Sequence, residues 1–79
     1  MNYKDHIVVD KNICGGEAVL KGTRVTLRTL LASLADGDEI ATILRDYPSL
    51  TEEHVRAAIA FAADSARDDL PVPAIPKVA

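Results

Sequence analysis

The side chains with reactive potential are few and scattered. Cys14 is the single cysteine, and His6 and His54 are the two histidines that could pair with it as general bases. One cysteine makes no internal disulfide and no thiolate zinc site, which excludes zinc-finger readers of DNA. No supporting polar cluster surrounds these residues, and the chain is short for a walled cleft. Cys14 therefore reads as a small buried hydrophobe and each histidine as a surface residue. Asp36, Asp38 and Glu39 stand close in sequence, but helix ending and capping account for them. The segment Gly16-Glu17-Ala18-Val19-Leu20-Lys21-Gly22-Thr23 has the residues of a phosphate-binding loop in the wrong order. Its interior reads as a strand, whereas a phosphate cradle needs successive backbone N–H groups curling around the anion. These patterns argue against an enzyme, and they give no reason to expect a metal or a cofactor.

What remains is recognition. Lys21, Thr23, Arg24 and Arg28 put basic side chains and a hydroxyl within eight residues, around a glycine that permits close backbone approach. Such residues contact the phosphate backbone of DNA. The charge distribution favours the same segment. Residues 1–28 carry five Lys+Arg against three acids, and residues 29–79 carry four against nine. The whole chain has 9 Lys+Arg, 12 Asp+Glu and a net charge of −3, so it has no basic sheath for nucleic acid. The alternative for Arg24 is a structural ion pair with a carboxylate of the fold.

The elements that must position these residues follow from periodicity. Ile7-Val8-Val9 and Ala18-Val19-Leu20 are short apolar runs around glycine-containing turns, and they predict a small hairpin or two strand fragments. Three stripes at i, i+3, i+4 and i+7 predict helices: Leu27, Leu30, Leu31 and Leu34; Ile40, Ile43, Leu44 and Tyr47; Val55, Ala58, Ile59 and Ala62. Gly37 suits a left-handed stop, Asp38 a cap for the second helix, and Pro48 its end. Thr51 suits the cap of the third helix, with Leu50 and Val55 at staple spacing and His54 at the position a capping box gives to Glu or Gln. The fold expected is mainly α: a three-helix bundle containing a helix-turn-helix, with a short N-terminal strand pair and an extended C-terminal tail. Residues 1–66 form the single domain and residues 67–79 the tail. The third helix begins Thr51-Glu52-Glu53-His54, which would repel phosphate, so DNA contact is expected from Lys21 to Arg28 instead.

The make-up of the core adds a partner. There are 12 Ala, 8 Leu, 7 Val and 6 Ile against one Phe, two Tyr and no Trp. A chain of 79 residues buries only about 60% of its unfolded surface, so a second subunit would help. Ala57, Ala60 and Phe61 add apolar surface to the third helix beyond one stripe, and they are the candidate homodimer interface. The other reading is that Phe61 closes the edge of the monomer's own core. Three of the four prolines lie in the tail, which is either a frayed terminus or an arm whose Leu70, Val72, Ile75 and Val78 dock on a partner. No apolar run approaches the roughly 18 residues of a membrane span and the first residues lack a signal peptide's apolar stretch, so a cytoplasmic protein is expected.

Several stretches together resemble one family: Ile13-Cys14-Gly15-Gly16, Val19-Leu20-Lys21-Gly22-Thr23-Arg24-Val25, Leu34-Ala35-Asp36-Gly37, Ile43 through Thr51, and Val55-Arg56-Ala57-Ala58-Ile59. The chain is similar over residues 5–63 to the small prokaryotic family called domain of unknown function 433. The resemblance implies a homeodomain-like tri-helical fold and a VapB-like antitoxin, encoded beside a PIN-type ribonuclease toxin. Such a protein restrains its toxin and can repress its own operon as a dimer, which would make the tail residues the toxin-binding arm. Glu17-Ala18 departs from the Lys-Pro or Arg-Pro pair common in the family and removes a positive charge. The alternative is a DNA-binding transcriptional regulator that acts without a toxin.

Overall fold

In the computed structural model, which describes residues 2–68, a short 3-10 turn at Tyr3–Asp5 is followed by two strands and three helices. β1 (Ile7–Val9) and β2 (Ala18–Leu20) pair antiparallel, with Ile7 opposite Leu20, Val8 opposite Val19 and Val9 opposite Ala18. The connection is the loop of residues 10–17 rather than a tight hairpin turn. Within it Cys14, Gly15 and Gly16 all take positive φ, which is unusual for a cysteine. A two-stranded ribbon is not stable alone in water. Here Ile7, Ala18 and Leu20 share one face and press it onto the helices, and Leu20 is fully buried.

The helices are α1 (Leu27–Ala35), α2 (Ile40–Asp46) and α3 (Glu52–Asp68). Their core is Leu27 and Leu30 from α1, Ile43 from α2, Leu50 from the connection, and Val55 and Ala58 from α3, with Leu20 from β2. Leu31, Leu34, Leu44, Tyr47 and Phe61 pack around it. Two members of the expected stripes lie outside. Ile40 is 38% exposed because it opens α2 at the end of an exposed connection, one turn ahead of the core. Ile59 is 47% exposed because the buried face of α3 centres on Ala58, with Val55 and Ala57 on its flanks, and Ile59 falls on the outer side.

Helix ends explain the connections. The Asp36 N–H donates to Ala32 O, Gly37 N–H to Leu34 O and Asp38 N–H to Ser33 O, a Schellman closure that requires the left-handed Gly37 (φ 90°). Asp38 is thus part of the stop of α1 and does not cap α2. The N-cap of α2 is Glu39, whose side chain makes no capping bond. At α1, Thr26 Oγ1 accepts from the Thr29 N–H at 3.1 Å. Leu50 and Val55 are both buried in the core cluster, as a hydrophobic staple requires. α3 continues to Asp68, past the expected domain end at 66, because no helix breaker precedes Pro71 and Arg67 pairs with Asp64 at 3.1 Å. Among the described residues no helix is long and apolar enough to cross a membrane.

Candidate functional site

The basic turn after β2 is built by backbone bonds around Thr23. Leu20 N–H donates to Val25 O at 3.1 Å and Thr23 N–H to Leu20 O at 3.0 Å. The Thr23 hydroxyl donates to Leu20 O at 2.8 Å and accepts from Val25 N–H at 3.1 Å. Gly22 at φ 82° supplies the reversal. Thr23 is buried, at 8% exposure, and its hydroxyl is already occupied inside the turn. It holds the turn's shape and is not placed to meet a phosphate, which corrects the expectation for this residue.

The turn is then fastened to the head of α3. Lys21 N–H donates to His6 O at 2.8 Å, and the Lys21 carbonyl lies 3.0 Å from His54 Nε2. His54 Nδ1 lies 3.0 Å from the Thr51 backbone N–H, and the His54 N–H reaches Thr51 Oγ1 at 3.3 Å. The Thr51 N–H can only donate, so Nδ1 must accept. The ring proton is therefore on Nε2, where it donates to Lys21 O. His54 completes a capping box in which imidazole replaces the usual carboxylate or amide, and its far side clamps the basic turn. The His6 and His54 rings meet edge to face at 6.5 Å.

Lys21 and Arg24 extend from this clamped turn with exposed side chains that make no ion pair or hydrogen bond with the described residues. Beside them lies a depression of about 540 Å³ with Val8, Ile13 and Val19 in its floor and Arg24 and Ser49 at its rim. Ser49 belongs to the α2–α3 connection, so the basic turn and that connection share one surface. Arg28 is elsewhere. It forms a two-bond ion pair with Glu17 at 3.2 and 3.3 Å, and that partner's hydrogen bond and charge hold its guanidinium above its ordinary pKa. The carboxylate partnership expected as the alternative for Arg24 belongs to Arg28, whose charge is offset and which is separated from the DNA candidates. At the head of α3, Glu52 is engaged by Arg56 at 3.0 Å.

The Glu17–Arg28 pair marks the edge of a second feature, an open groove of about 580 Å³ between α1 and α3. Its lining is apolar: Ala18, Leu27, Leu31, Ala32, Ala35 and Phe61. Phe61 packs on the core and sets its ring edge to face with Tyr3 at 5.8 Å, so it closes the monomer's own edge while also lining the groove. Ala57 is fully buried within the chain and offers nothing to a partner, which removes it from the candidate dimer interface. Ala60 is half-buried, and the exposed side of α3 presents Ile59 and Ala63 instead. Leu70, Val72, Ile75 and Val78 lie outside the described residues. Cys14 is half-buried, with its thiol directed at Arg24 O at 3.2 Å. Among the described residues no three His, Cys, Asp or Glu side chains gather as a metal site would require.

Three partnerships that shape these surfaces carry no obvious signature in the sequence. His54 is legible only as Thr51-x-x-His54 with an unusual third partner. Glu17 and Arg28 are eleven positions apart and meet only because β2 lies along α1. Tyr3 precedes the first strand and is brought onto α3 by the opening 3-10 turn.

Comparison with known proteins agrees with this architecture. The chain is 34% identical over 59 residues to the uncharacterized protein y4eO of Sinorhizobium fredii (strain NBRC 101917 / NGR234), covering 75% of this chain and 27% of that protein. The matched segment therefore spans about a quarter of that relative's length. A crystal structure of a DUF433 member protein from Anabaena variabilis ATCC 29413 superposes with a TM-score of 0.70 at 30% identity, covering 81% of this chain and 63% of that one. The family described as protein of unknown function (DUF433) matches residues 7–62, which take in both strands, all of α1 and α2 and most of α3, and the chain belongs to that family.

Proposed function

We propose that this chain is a non-enzymatic antitoxin, which binds and restrains a PIN-type ribonuclease and represses its own operon as a homodimer. The supporting observation is the division of one small domain into two chemically different surfaces. One is an apolar groove between α1 and α3, and the other is a clamped turn carrying the exposed Lys21 and Arg24. A protein that engages both another protein and DNA needs such a division, because apolar burial drives the first contact and phosphate pairing the second. Leu70, Val72, Ile75 and Val78 supply the arm for the toxin. Dimerisation uses the outer side of α3, where Ile59, Ala60 and Ala63 allow close helix approach. Co-expression with a metal-dependent nuclease encoded beside this chain tests the reading: a complex that survives gel filtration supports it, and two independent proteins oppose it.

The second reading, a transcriptional regulator without a toxin, is favoured by the placement of Lys21 and Arg24 beside the α2–α3 corner. In that case operator binding would be tight in the absence of any second protein.

A further inference from the structure

We infer that the outer edge of β1 pairs antiparallel with the same edge of a second copy of this chain, joining two ribbons into a four-stranded sheet. Backbone geometry leaves that edge open. Lys21 N–H donates to His6 O at 2.8 Å, and bonded positions alternate along an antiparallel ladder, so His6 and Val8 are the positions bonded toward β2. Ile7 and Val9 turn their N–H and C=O groups the other way. Leu20, opposite Ile7, follows the same alternation and donates its outward N–H to Val25 O at 3.1 Å. A bridge between Val19 and Thr26 closes that side of β2. Among the described residues no strand or bridge closes the corresponding side of β1. The edge also lacks the features that keep strands apart: Ile7-Val8-Val9 holds no charge and no proline. Val9 is 69% exposed, more than any other large apolar side chain among the described residues, and it stands opposite the small Ala18.

The register identifies the occupant. With Val8 opposite the partner's Val8, Ile7 and Val9 lie opposite the partner's Val9 and Ile7, and these two outward pairs form four backbone bonds. Val9 is then covered by the partner's Ile7, and the two Val8 side chains meet on the other face. Just beyond the strands, the same register sets Asp5 against the partner's Lys11 and His6 against the partner's Asp10, and the two-fold axis repeats both matches. A slip of two residues keeps one bonded pair within the strands and sets Asp5 against Val9 or Lys11 against Ile7. Parallel pairing sets each charge against its own kind. Three residues a side make a weak contact, one that fills only above micromolar concentration. It uses none of Ile59, Ala60 and Ala63, so it is separate from the outer side of α3. Val8 lines the depression beside Arg24, and the two-fold axis runs perpendicular to the sheet, so both depressions come to one face. Copies bound side by side on DNA meet at an effective concentration on the order of millimolar, which makes their binding cooperative. That consequence rests on the DNA part of the proposed function, whereas the strand pairing does not.

The test uses the full chain carrying Ile59→Asp, which removes the α3 contact, and reads amide hydrogen exchange at micromolar and millimolar concentration. Exchange at Ile7 and Val9 should slow roughly threefold at the higher concentration, while Val8, already bonded to β2, should not change. Val9→Lys should abolish the effect at Ile7 with Val8 still protected, which shows that the ribbon is intact. In a Cys14→Ser chain, Val8→Cys should form a disulfide-linked dimer on mild oxidation, because facing residues of a non-hydrogen-bonded pair have Cα atoms about 4.5 Å apart. Val9→Cys, although more exposed, should link far less, since its neighbour is the partner's Ile7. Exchange at Ile7 and Val9 that does not depend on concentration overturns the inference, whether it is fast throughout or already slow in the monomer. Equal linking by the two cysteine variants also overturns it.

Discussion

Replacing His54 by alanine should destabilise the domain by about 2 kcal/mol, since two neutral hydrogen bonds of about 0.5–1.5 kcal/mol each disappear. These are the bonds from the Thr51 N–H and to Lys21 O, both 3.0 Å long. Helix caps lost in other proteins cost about 0.5–2 kcal/mol, which is consistent with the first of the two. The ring is only half-buried, so water replaces part of each lost bond and keeps the sum away from its upper limit. For a domain of this size about 2 kcal/mol corresponds to a fall in Tm of roughly 8–16 °C. His54→Gln should recover about half, because its amide oxygen can accept from the Thr51 N–H as in an ordinary capping box. Thermal and urea denaturation measure the losses, and amide exchange at Lys21 and Gly22 reports whether the basic turn loosens. A loss below about 0.5 kcal/mol, or a glutamine variant no better than alanine, would mean that imidazole does not tie the turn to α3.

Other substitutions separate structure from recognition. Thr23→Val should cost about 1–3 kcal/mol by orphaning Val25 N–H and removing one of the two bonds to Leu20 O, whereas Thr23→Ser should remain near the parent in a thermal melt. Arg24→Ala should leave stability unchanged, weaken operator binding across sequences and reduce the log–log salt slope by about one unit. Glu53→Ala should leave that affinity equal or slightly higher, and a salt titration of all three proteins measures both effects. Ile59→Asp lies outside the core, so by light scattering it should convert a dimer into an 8.5 kDa monomer without loss of helix.

Much of the fold was legible because local patterns and the core agree. Both strands occupy the predicted residues, and Leu27, Leu30 and Ile43 are buried where their stripes put them. Periodicity failed at Ile59, since five alanines and one phenylalanine within residues 57–63 let α3 rotate its buried face toward Ala57 and Phe61 at little change in apolar character. Asp38 misled for a different reason: residues that cap the next helix also sit naturally in the stop of the previous one, and the Schellman bonds took precedence. In the candidate site, Lys21 and Arg24 were visible from charge alone. Thr23 and Arg28 share their local pattern but have internal partners: the Thr23 hydroxyl is taken up within its own turn by Leu20 O and Val25 N–H, and Arg28 meets Glu17, eleven residues away, which spacing does not encode.

The most direct measurement of the proposed role is RNA cleavage by the neighbouring nuclease-like protein, titrated with the full chain. Cleavage should fall to background at an equimolar ratio, and a chain carrying Val72→Asp and Ile75→Asp should inhibit far less while retaining its helix content. Undiminished cleavage in excess full chain, with both proteins folded, would contradict it.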